Sequence, residues 1–189
     1  GIAQDNSGRI WIATKYDGLA VLDHGAWTLY DQIYSGLPVN MTTCIASEGA
    51  RMIWIGTRYG LACFDQVNWS VFQSFNSGIP DDEVTALAID RYGTKWVGTR
   101  DGGLASFDGT QWKVFNSSNS VILDDYIKSI SIDQNGTKWI NCSHAGLSLF
   151  NENGIPAGQS EHPDPLDAIR VFPNPATEEI HLLYRGIGE

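Results

Sequence analysis

The chain has 189 residues and a net charge of −10, and an acidic surface of this kind repels phosphate backbones and anionic lipids. This charge argues against nucleic acid and such membranes as partners. Aromatic residues make up 11% of the chain and glycines number 20, an enrichment typical of strands and tight turns in an all-β protein.

The three cysteines, Cys44, Cys63 and Cys142, show no Cys-x-x-Cys spacing, and each lies in an apolar, strand-like run. We therefore expect buried free thiols, with neither a disulfide framework nor a structural zinc site. No apolar run approaches the ~18 residues needed to span a bilayer, so no membrane span is expected in this segment. No signal peptide is present, and we expect either that one was removed with upstream sequence or that the chain is a fragment.

Two series of tryptophans recur with one period along the first 150 residues. The first series is spaced by 43, 42 and 43 residues and the second by 42 and 43. The two series are Trp11, Trp54, Trp96 and Trp139, and Trp27, Trp69 and Trp112. Gly-Leu pairs follow the same period, which predicts four copies of one unit with approximate bounds 1–31, 32–73, 74–116 and 117–150.

Each copy divides into four short apolar segments separated by Gly, Asp and Asn. In the third copy these segments are 84–90, 94–99, 103–108 and 112–116. Segments of this length predict four antiparallel strands joined by hairpins. A small sheet that is apolar on both faces must stack on its copies, and the closed form of such a stack is a β-propeller. We predict about four blades of a larger all-β propeller. We interpret all seven tryptophans as plates, that is, as flat side chains that pack between neighbouring blades.

The two terminal copies are incomplete. The first lacks most of its innermost strand and the fourth lacks an outermost strand. We expect the missing blades to be supplied by upstream sequence or by another copy of the chain. A small four-bladed ring and an incomplete fragment are the alternatives.

An Asp-x-x-Gly-x-x-Trp joint begins at Asp5, Asp90 and Asp133. The joint is too short for the alternating oxygen ligands of a calcium loop. A tight turn explains it, in which Asp bonds local backbone and Gly takes a positive φ. We therefore expect no metal and no cofactor.

These repeated columns resemble the two-component regulator propeller repeat over residues 1 to about 150. The matching pieces are Trp54-Ile-Gly-Thr57, Trp96-Val-Gly-Thr99, Phe107-Asp-Gly109, Ser35-Gly-Leu-Pro38 and Ser77-Gly-Ile-Pro80. The resemblance weakens in the fourth copy, where Asn141-Cys142 replaces Gly-Thr. It implies a propeller in an extracytoplasmic sensor region of a bacterial signalling protein, or in a secreted protein.

The tail differs from the repeats. Residues 151–167 are rich in Pro, Gly and Asp and indicate a linker. Residues 168–189 contain the stretch "VFPNPATEEIHLLY", which is similar to the start of the C-terminal sorting domain of type IX secretion cargo, with Pro173, Asn174 and Pro175 as the motif. This resemblance implies recognition by an outer-membrane translocon and release or display at the cell surface. The 22 residues would be a truncated copy of that domain.

A ligand site is expected where the loops between second and third strands, and the loops between blades, open on one face. The candidate ligand-binding residues are Lys15, Tyr16, Arg58, Tyr59, Arg100, Asp101 and His144. The tyrosines are suited to stacking on a sugar ring, and the charged groups to bonding its hydroxyls. The alternative is that all seven are solvated turn residues.

No catalytic motif is present, and we predict no catalytic residue. The leading hypothesis is a non-enzymatic secreted or surface propeller that binds a glycan or a protein. The second is a periplasmic ligand-sensing propeller of a two-component or hybrid sensor. The third is a propeller lyase, for which His144 is the best candidate residue.

Overall fold

The computed structural model describes residues 1–152, 169–171 and 180–182. Every regular element in these ranges is a β-strand, and none of these residues forms a helix able to cross a membrane. Residues 1–152 fold into four successive antiparallel sheets, in each of which the strands are ordered as in the sequence. The predicted all-β propeller fold with four-stranded blades is confirmed.

We term the four sheets blades 1 to 4. Blade 1 comprises β1 (Ile2–Gln4), β2 (Ile10–Ala13), β3 (Leu19–Asp23) and β4 (Ala26–Tyr30). Blade 2 comprises β5 (Thr42–Glu48), β6 (Met52–Thr57), β7 (Gly60–Phe64) and β8 (Trp69–Phe72). Blade 3 comprises β9 (Val84–Ile89), β10 (Lys95–Thr99), β11 (Leu104–Phe107) and β12 (Trp112–Phe115). Blade 4 has three strands among the described residues, β13 (Ile127–Ile132), β14 (Lys138–Cys142) and β15 (Gly146–Phe150).

Two short strands follow the blades. β16 (Ile169–Val171) pairs antiparallel with β17 (Ile180–Leu182). The sequence between them contains Pro173, Asn174 and Pro175, which lie outside the described residues together with most of the predicted linker.

The innermost strands of neighbouring blades are joined by side-chain hydroxyls. Ser47 Oγ donates to the carbonyl of Gln4 at 2.7 Å, and Thr43 Oγ1 donates to the carbonyl of Val84 at 2.6 Å. Thr85 makes the equivalent bond to the carbonyl of Ile127. These crossings hold β1, β5, β9 and β13 side by side, so the remaining strands of each blade extend outward from a common axis.

An apolar cluster fills the space between each pair of neighbouring blades. Between blades 2 and 3, the Trp54 ring lies 5.8 Å from Phe72 of its own blade and 6.1 Å from Phe107 of the next. Trp11 and Trp96 occupy the same position in the clusters before and after it. All three rings are nearly inaccessible, at 1 to 4% exposed, because a blade covers each side.

The second tryptophan series lies at the outer edge of the same interfaces. Trp69 stacks on Phe64 at 4.4 Å and reaches Tyr30 of the preceding blade at 6.2 Å. Trp112 stacks on Phe107 at 4.5 Å and reaches the blade before it in the same way. Both indoles are half-buried.

Trp27 differs from Trp69 and Trp112 because it is 61% exposed in the described part of the chain. Its strand, β4, is exposed at four of five positions, whereas the equivalent β8 and β12 are mostly half-buried. Within residues 1–152 no blade precedes blade 1, so no described residue of a preceding blade covers this column. Trp139 is half-buried and belongs to none of the three apolar clusters described for residues 1–152.

A carboxylate anchors the turn between the first two strands of every blade by accepting the indole N–H six residues later. The four pairs are Asp5–Trp11 at 2.8 Å, Glu48–Trp54 at 2.8 Å, Asp90–Trp96 at 3.0 Å and Asp133–Trp139 at 3.1 Å. The other oxygen of Asp90 accepts the backbone amides of Tyr92 and Thr94. The carboxylate therefore both forms the turn and orients the plate. Glu48 was missed because its copy lacks the Asp-x-x-Gly pattern, although the spacing to tryptophan is unchanged.

The glycine of the Trp-Ile-Gly-Thr motif is required by close approach of the next blade. A Cβ on Gly56 would lie 2.3 Å from Cys44 Sγ and 2.7 Å from Val84 Cγ1. A Cβ on Gly98 would lie 2.6 Å from Ile127 of blade 4. Asn141 replaces glycine in blade 4 and is exposed, because no described blade follows it.

The cysteines are free thiols within the blades. Cys63 and Cys142 are buried, and Cys44 is half-buried. Burial raises the pKa of Cys63 to about 12, so this thiol is protonated at neutral pH.

Candidate functional site

The loops predicted to carry a site lie together on one face, which we term the loop face. It comprises residues 14–18, 31–41, 58–59, 73–83, 100–103, 116–126 and 143–145. Backbone amides of the short loops donate to carbonyls that end the inter-blade loops: Gly18 to Asn40, Gly60 to Asp82 and Gly103 to Asp125. The two loop types are therefore tied to each other as well as to the sheets. The opposite end of the stack, the turn face, carries the carboxylate-anchored turns.

A basic residue occupies the same repeat position in three consecutive blades. The residues are Lys15, Arg58 and Arg100, and each directly follows a threonine. These threonine hydroxyls donate to loop glycine carbonyls at 2.8 to 2.9 Å, which fixes the backbone of the loop. The repeat thereby presents three cations from equivalent places on three neighbouring blades.

Glu83 holds two of these cations. Arg58 Nε lies 3.3 Å and Arg100 Nη1 3.2 Å from the same Glu83 oxygen. The backbone amide of Arg100 also donates to the Glu83 carbonyl at 3.0 Å. The hydrogen bond and the negative charge of Glu83 raise the pKa of Arg100, which keeps the guanidinium charged. One carboxylate is therefore shared between two guanidinium groups.

A cavity of about 290 Å³ opens among these groups. Its lining residues are Lys15, Met41, Thr42, Thr43, Arg58, Glu83 and Arg100. Three cations against one carboxylate make this an electropositive spot on a chain whose net charge is −10. The arginine side chains are 44 and 45% exposed, so their heads remain accessible to a ligand.

His144 belongs to a second cluster beside the first. Asp124 Oδ2 accepts the backbone amide of His144 at 2.7 Å and lies 3.0 Å from its Nδ1. Burial opposes ionisation of Asp124, but hydrogen bonds from Tyr126 and His144 outweigh it and lower its pKa. The Tyr126 ring lies 6.3 Å from the His144 ring and 5.5 Å from the Arg100 guanidinium carbon. Tyr126 thus connects the two clusters.

The other predicted residues lie at the loop tips. Tyr16 is 64% and Tyr59 58% exposed, and neither lines the cavity. Asp101 is exposed, and its backbone amide donates to Asp81 Oδ2 at 3.0 Å.

Sequence reasoning missed the residues that organise the loop face. The sequence predicts inter-blade loops at 34–40, 76–82 and 117–125, so Glu83 and Tyr126 each lie one residue beyond a predicted loop, immediately before an innermost strand. Asp81 and Asp124 lie within those loops but were not singled out. The available signal was their shared repeat position, since each lies three residues before an innermost strand.

A second cavity, of about 280 Å³, lies on the turn face between blades 3 and 4. Its walls include Asp90 and Asp133, whose oxygens are already bonded to tryptophan indoles and backbone amides. Within residues 1–152 no three His, Cys, Asp or Glu side chains are grouped so that they could hold a metal ion.

No protein-family model matches the sequence. A search of curated proteins likewise gives no match.

Solved structures with the same fold do match. The extracellular domain of a hybrid two-component system from B. thetaiotaomicron is 20% identical, with a TM-score of 0.62 over 82% of this chain and 23% of that one. Virginiamycin B lyase from Staphylococcus aureus is 15% identical, with a TM-score of 0.64 over 84% of this chain and 56% of the lyase. An ancestral GH74 enzyme is 15% identical, with a TM-score of 0.60 over 79% of this chain and 22% of the enzyme.

The chain spans less than two thirds of the length of each of these structures. At such identities the likeness establishes the propeller fold, on which unrelated activities occur.

Proposed function

We propose that the chain is part of an extracytoplasmic β-propeller that binds a glycan or protein ligand on its loop face and performs no chemistry of its own. The observation that carries this proposal is the convergence of Lys15, Arg58 and Arg100, from three blades, on one cavity. Rigid sheets with tied loops fix the backbone of all three residues, and Glu83 holds the two arginine heads, so a ligand would meet a preorganised surface.

Export through a type IX secretion-like route is the second part of the proposal, with the translocon as partner of the C-terminal segment. The sorting-like motif at Pro173, Asn174 and Pro175 supports it, as does the antiparallel pairing of β16 and β17 on either side of that motif. The product would be released or displayed at the cell surface. A periplasmic sensor region is the alternative, supported by the likeness to the hybrid two-component domain. A membrane-spanning helix and kinase modules encoded after Glu189 would favour the sensor.

We further propose that neighbouring blades, from upstream sequence or from another copy, cover the outer face of blade 1. Trp27 is 61%, Leu29 56% and Ile2 73% exposed on that blade. In blades 2 and 3 the tryptophan of the same column packs at a steep angle against an aromatic ring of the preceding blade.

Loss of the exposed tyrosine rings tests the ligand-binding proposal. The double variant Tyr16→Ala/Tyr59→Ala should bind a ligand found on a glycan array or by co-purification roughly tenfold more weakly, the equivalent of ~1.4 kcal/mol. Isothermal titration calorimetry measures the affinity. Tyr92→Ala is the matched control, since this ring is 76% exposed on the turn face and should leave binding unchanged. Equal effects of the two variants, or no ligand for the folded protein in either screen, would contradict the proposal.

A propeller lyase is the second candidate function, favoured by the contact between His144 and Asp124. An imidazole that is oriented by a neighbouring carboxylate can act as a general base. If the protein cleaves a polymer, His144→Ala should lower kcat by about 10²-fold or more and leave the fold intact, because the ring is 78% exposed. Unchanged turnover of the variant would remove His144 from consideration. The matched control is His24→Ala, whose imidazole is 91% exposed on the turn face.

A further inference from the structure

We infer that the ligand of the loop face is an acidic sugar, whose carboxylate or sulfate group is held by Lys15, Arg58 and Arg100. The inference rests on the proposed function and deepens it by naming the class of ligand. Three observations carry it: an excess of cations at the cavity, cationic donors without partners, and a lining with a single apolar side chain.

The excess of positive charge is local. The whole chain has 12 Lys and Arg against 22 Asp and Glu, yet the cavity is lined by three of the cations and by one carboxylate. The nearby acidic side chains Asp17 and Asp101 do not line the cavity. Asp81 does not line the cavity either, and its Oδ2 accepts the backbone amides of Arg100 and Asp101. An anion entering the cavity would therefore be attracted, although the chain as a whole repels anions.

Some hydrogen-bond donors of the cationic side chains at the cavity have no partner among the described residues. Lys15 has no carboxylate partner among the described residues, and its ammonium lies 5.2 Å from the centroid of the Tyr16 ring. Arg100 uses Nη1 for Glu83, and the other N–H groups of its guanidinium have no hydrogen-bond partner within residues 1–152. A guanidinium has five donors in a planar fork that matches the oxygens of carboxylate and sulfate groups. Glu83 holds both arginine heads in place and leaves these donors available.

The lining favours a sugar over a peptide. Met41 is the only apolar side chain at the cavity wall among the described residues, and the rest are charged groups and the hydroxyls of Thr42 and Thr43. A peptide would therefore find no pocket at this wall for its apolar side chains. The exposed rings of Tyr16 and Tyr59 on the same loops offer flat faces for a pyranose ring. The volume of about 290 Å³ suits one end of an oligosaccharide.

The test compares oligomers of one sugar that differ only in charge. The probes are a galacturonate trimer, a sulfated galactose trimer, a neutral galactose trimer and a hexaglutamate peptide, each titrated calorimetrically into the 189-residue protein. At least one acidic trimer should bind roughly tenfold or more tightly than the neutral one, because charge-assisted hydrogen bonds are about twice as strong as neutral ones. The stronger of the two acidic trimers identifies the oxyanion as carboxylate or sulfate. Binding should weaken as salt is raised.

The variants Arg58→Gln and Arg100→Gln should each weaken binding of the acidic trimer by roughly tenfold or more. Arg51→Gln is the matched control, since it removes an equal charge from an exposed position on the turn face and should change the affinity less than about twofold. Exposed ion pairs contribute little to stability, so all three variants should fold.

Four outcomes would overturn the inference: equal binding of neutral and acidic trimers, tighter binding of the peptide, unchanged affinity in Arg100→Gln, or an equal loss in Arg51→Gln. Binding of a neutral glycan that depends on Tyr16 and Tyr59 would leave the proposed function standing and reject the acidic ligand. Absence of binding by every probe and on the glycan array would reject both.

Discussion

Replacement of Trp96 by alanine should lower the free energy of unfolding by about 3–5 kcal/mol. The indole is 2% exposed and lies 6.0 Å from Phe115 of its own blade and 5.9 Å from Phe150 of the next. Its removal leaves a cavity between blades 3 and 4. It also deprives the buried Lys138 ammonium of the ring 3.9 Å away, and Asp90 of an indole donor. Urea denaturation followed by circular dichroism measures the loss.

Two variants make this prediction specific to the inter-blade position. Trp27→Ala removes the same side chain from an exposed site and should cost about 1 kcal/mol or less. Trp96→Phe keeps an aromatic plate but loses the indole N–H, so its cost should fall between the other two. Equal costs for Trp96→Ala and Trp27→Ala would show that burial between blades does not stabilise the stack.

Replacement of Asp5 by alanine should cost about 3 kcal/mol or more. The residue is 4% exposed, and its carboxylate accepts the Trp11 indole N–H at 2.8 Å and Arg9 Nε at 2.7 Å. Arg9 in turn donates to Gln66 and to the Ala50 carbonyl in blade 2. The variant therefore leaves a buried indole donor without its partner and releases the cation that joins the turns of two blades. Thermal and urea unfolding measure the effect, and Asp17→Ala, at an exposed loop carboxylate, should change stability by about 0.5 kcal/mol or less.

The lowered pKa of Asp5 predicts how the free energy of unfolding responds to acid. Burial opposes ionisation of Asp5, but hydrogen bonds from Ser7, Trp11 and Arg9 outweigh it and hold its pKa well below the usual range. A carboxylate with a depressed folded-state pKa contributes stability that is complete above its unfolded value of about 3.9 and is lost as the pH falls through the folded value. The free energy of unfolding should therefore fall steeply below about pH 4. Asp5→Asn should be less stable at pH 7 and should lose less on acidification; a parallel pH profile would contradict this.

In the candidate site, the repeat pattern predicts the residues that recur in several copies but not those that occur in one copy. Lys15, Arg58 and Arg100 were predicted from the sequence because they lie at equivalent positions in the loops between the second and third strands of three copies. Glu83 was not chosen, because its equivalents Met41 and Tyr126 differ from it in charge and size. A repeat pattern exposes what copies share, whereas the carboxylate that holds two arginines occurs in one copy alone.

The sequence by itself determined the period, the strands and five of the seven inter-blade tryptophans, since these depend on local alternation and on requirements that every blade repeats. The five are Trp11, Trp54, Trp69, Trp96 and Trp112. The repeat also showed that glycine recurs at positions 56 and 98. The structure supplied the reason, which is the close approach of Val84 to Gly56 and of Ile127 to Gly98. Only the tertiary structure decided that Trp27 is exposed, that Glu48 replaces aspartate as an indole acceptor, and that three cations share a cavity. Those features depend on how blades separated by more than forty residues stack about an axis, and that geometry is set by contacts between blades and not by the order of residues within one.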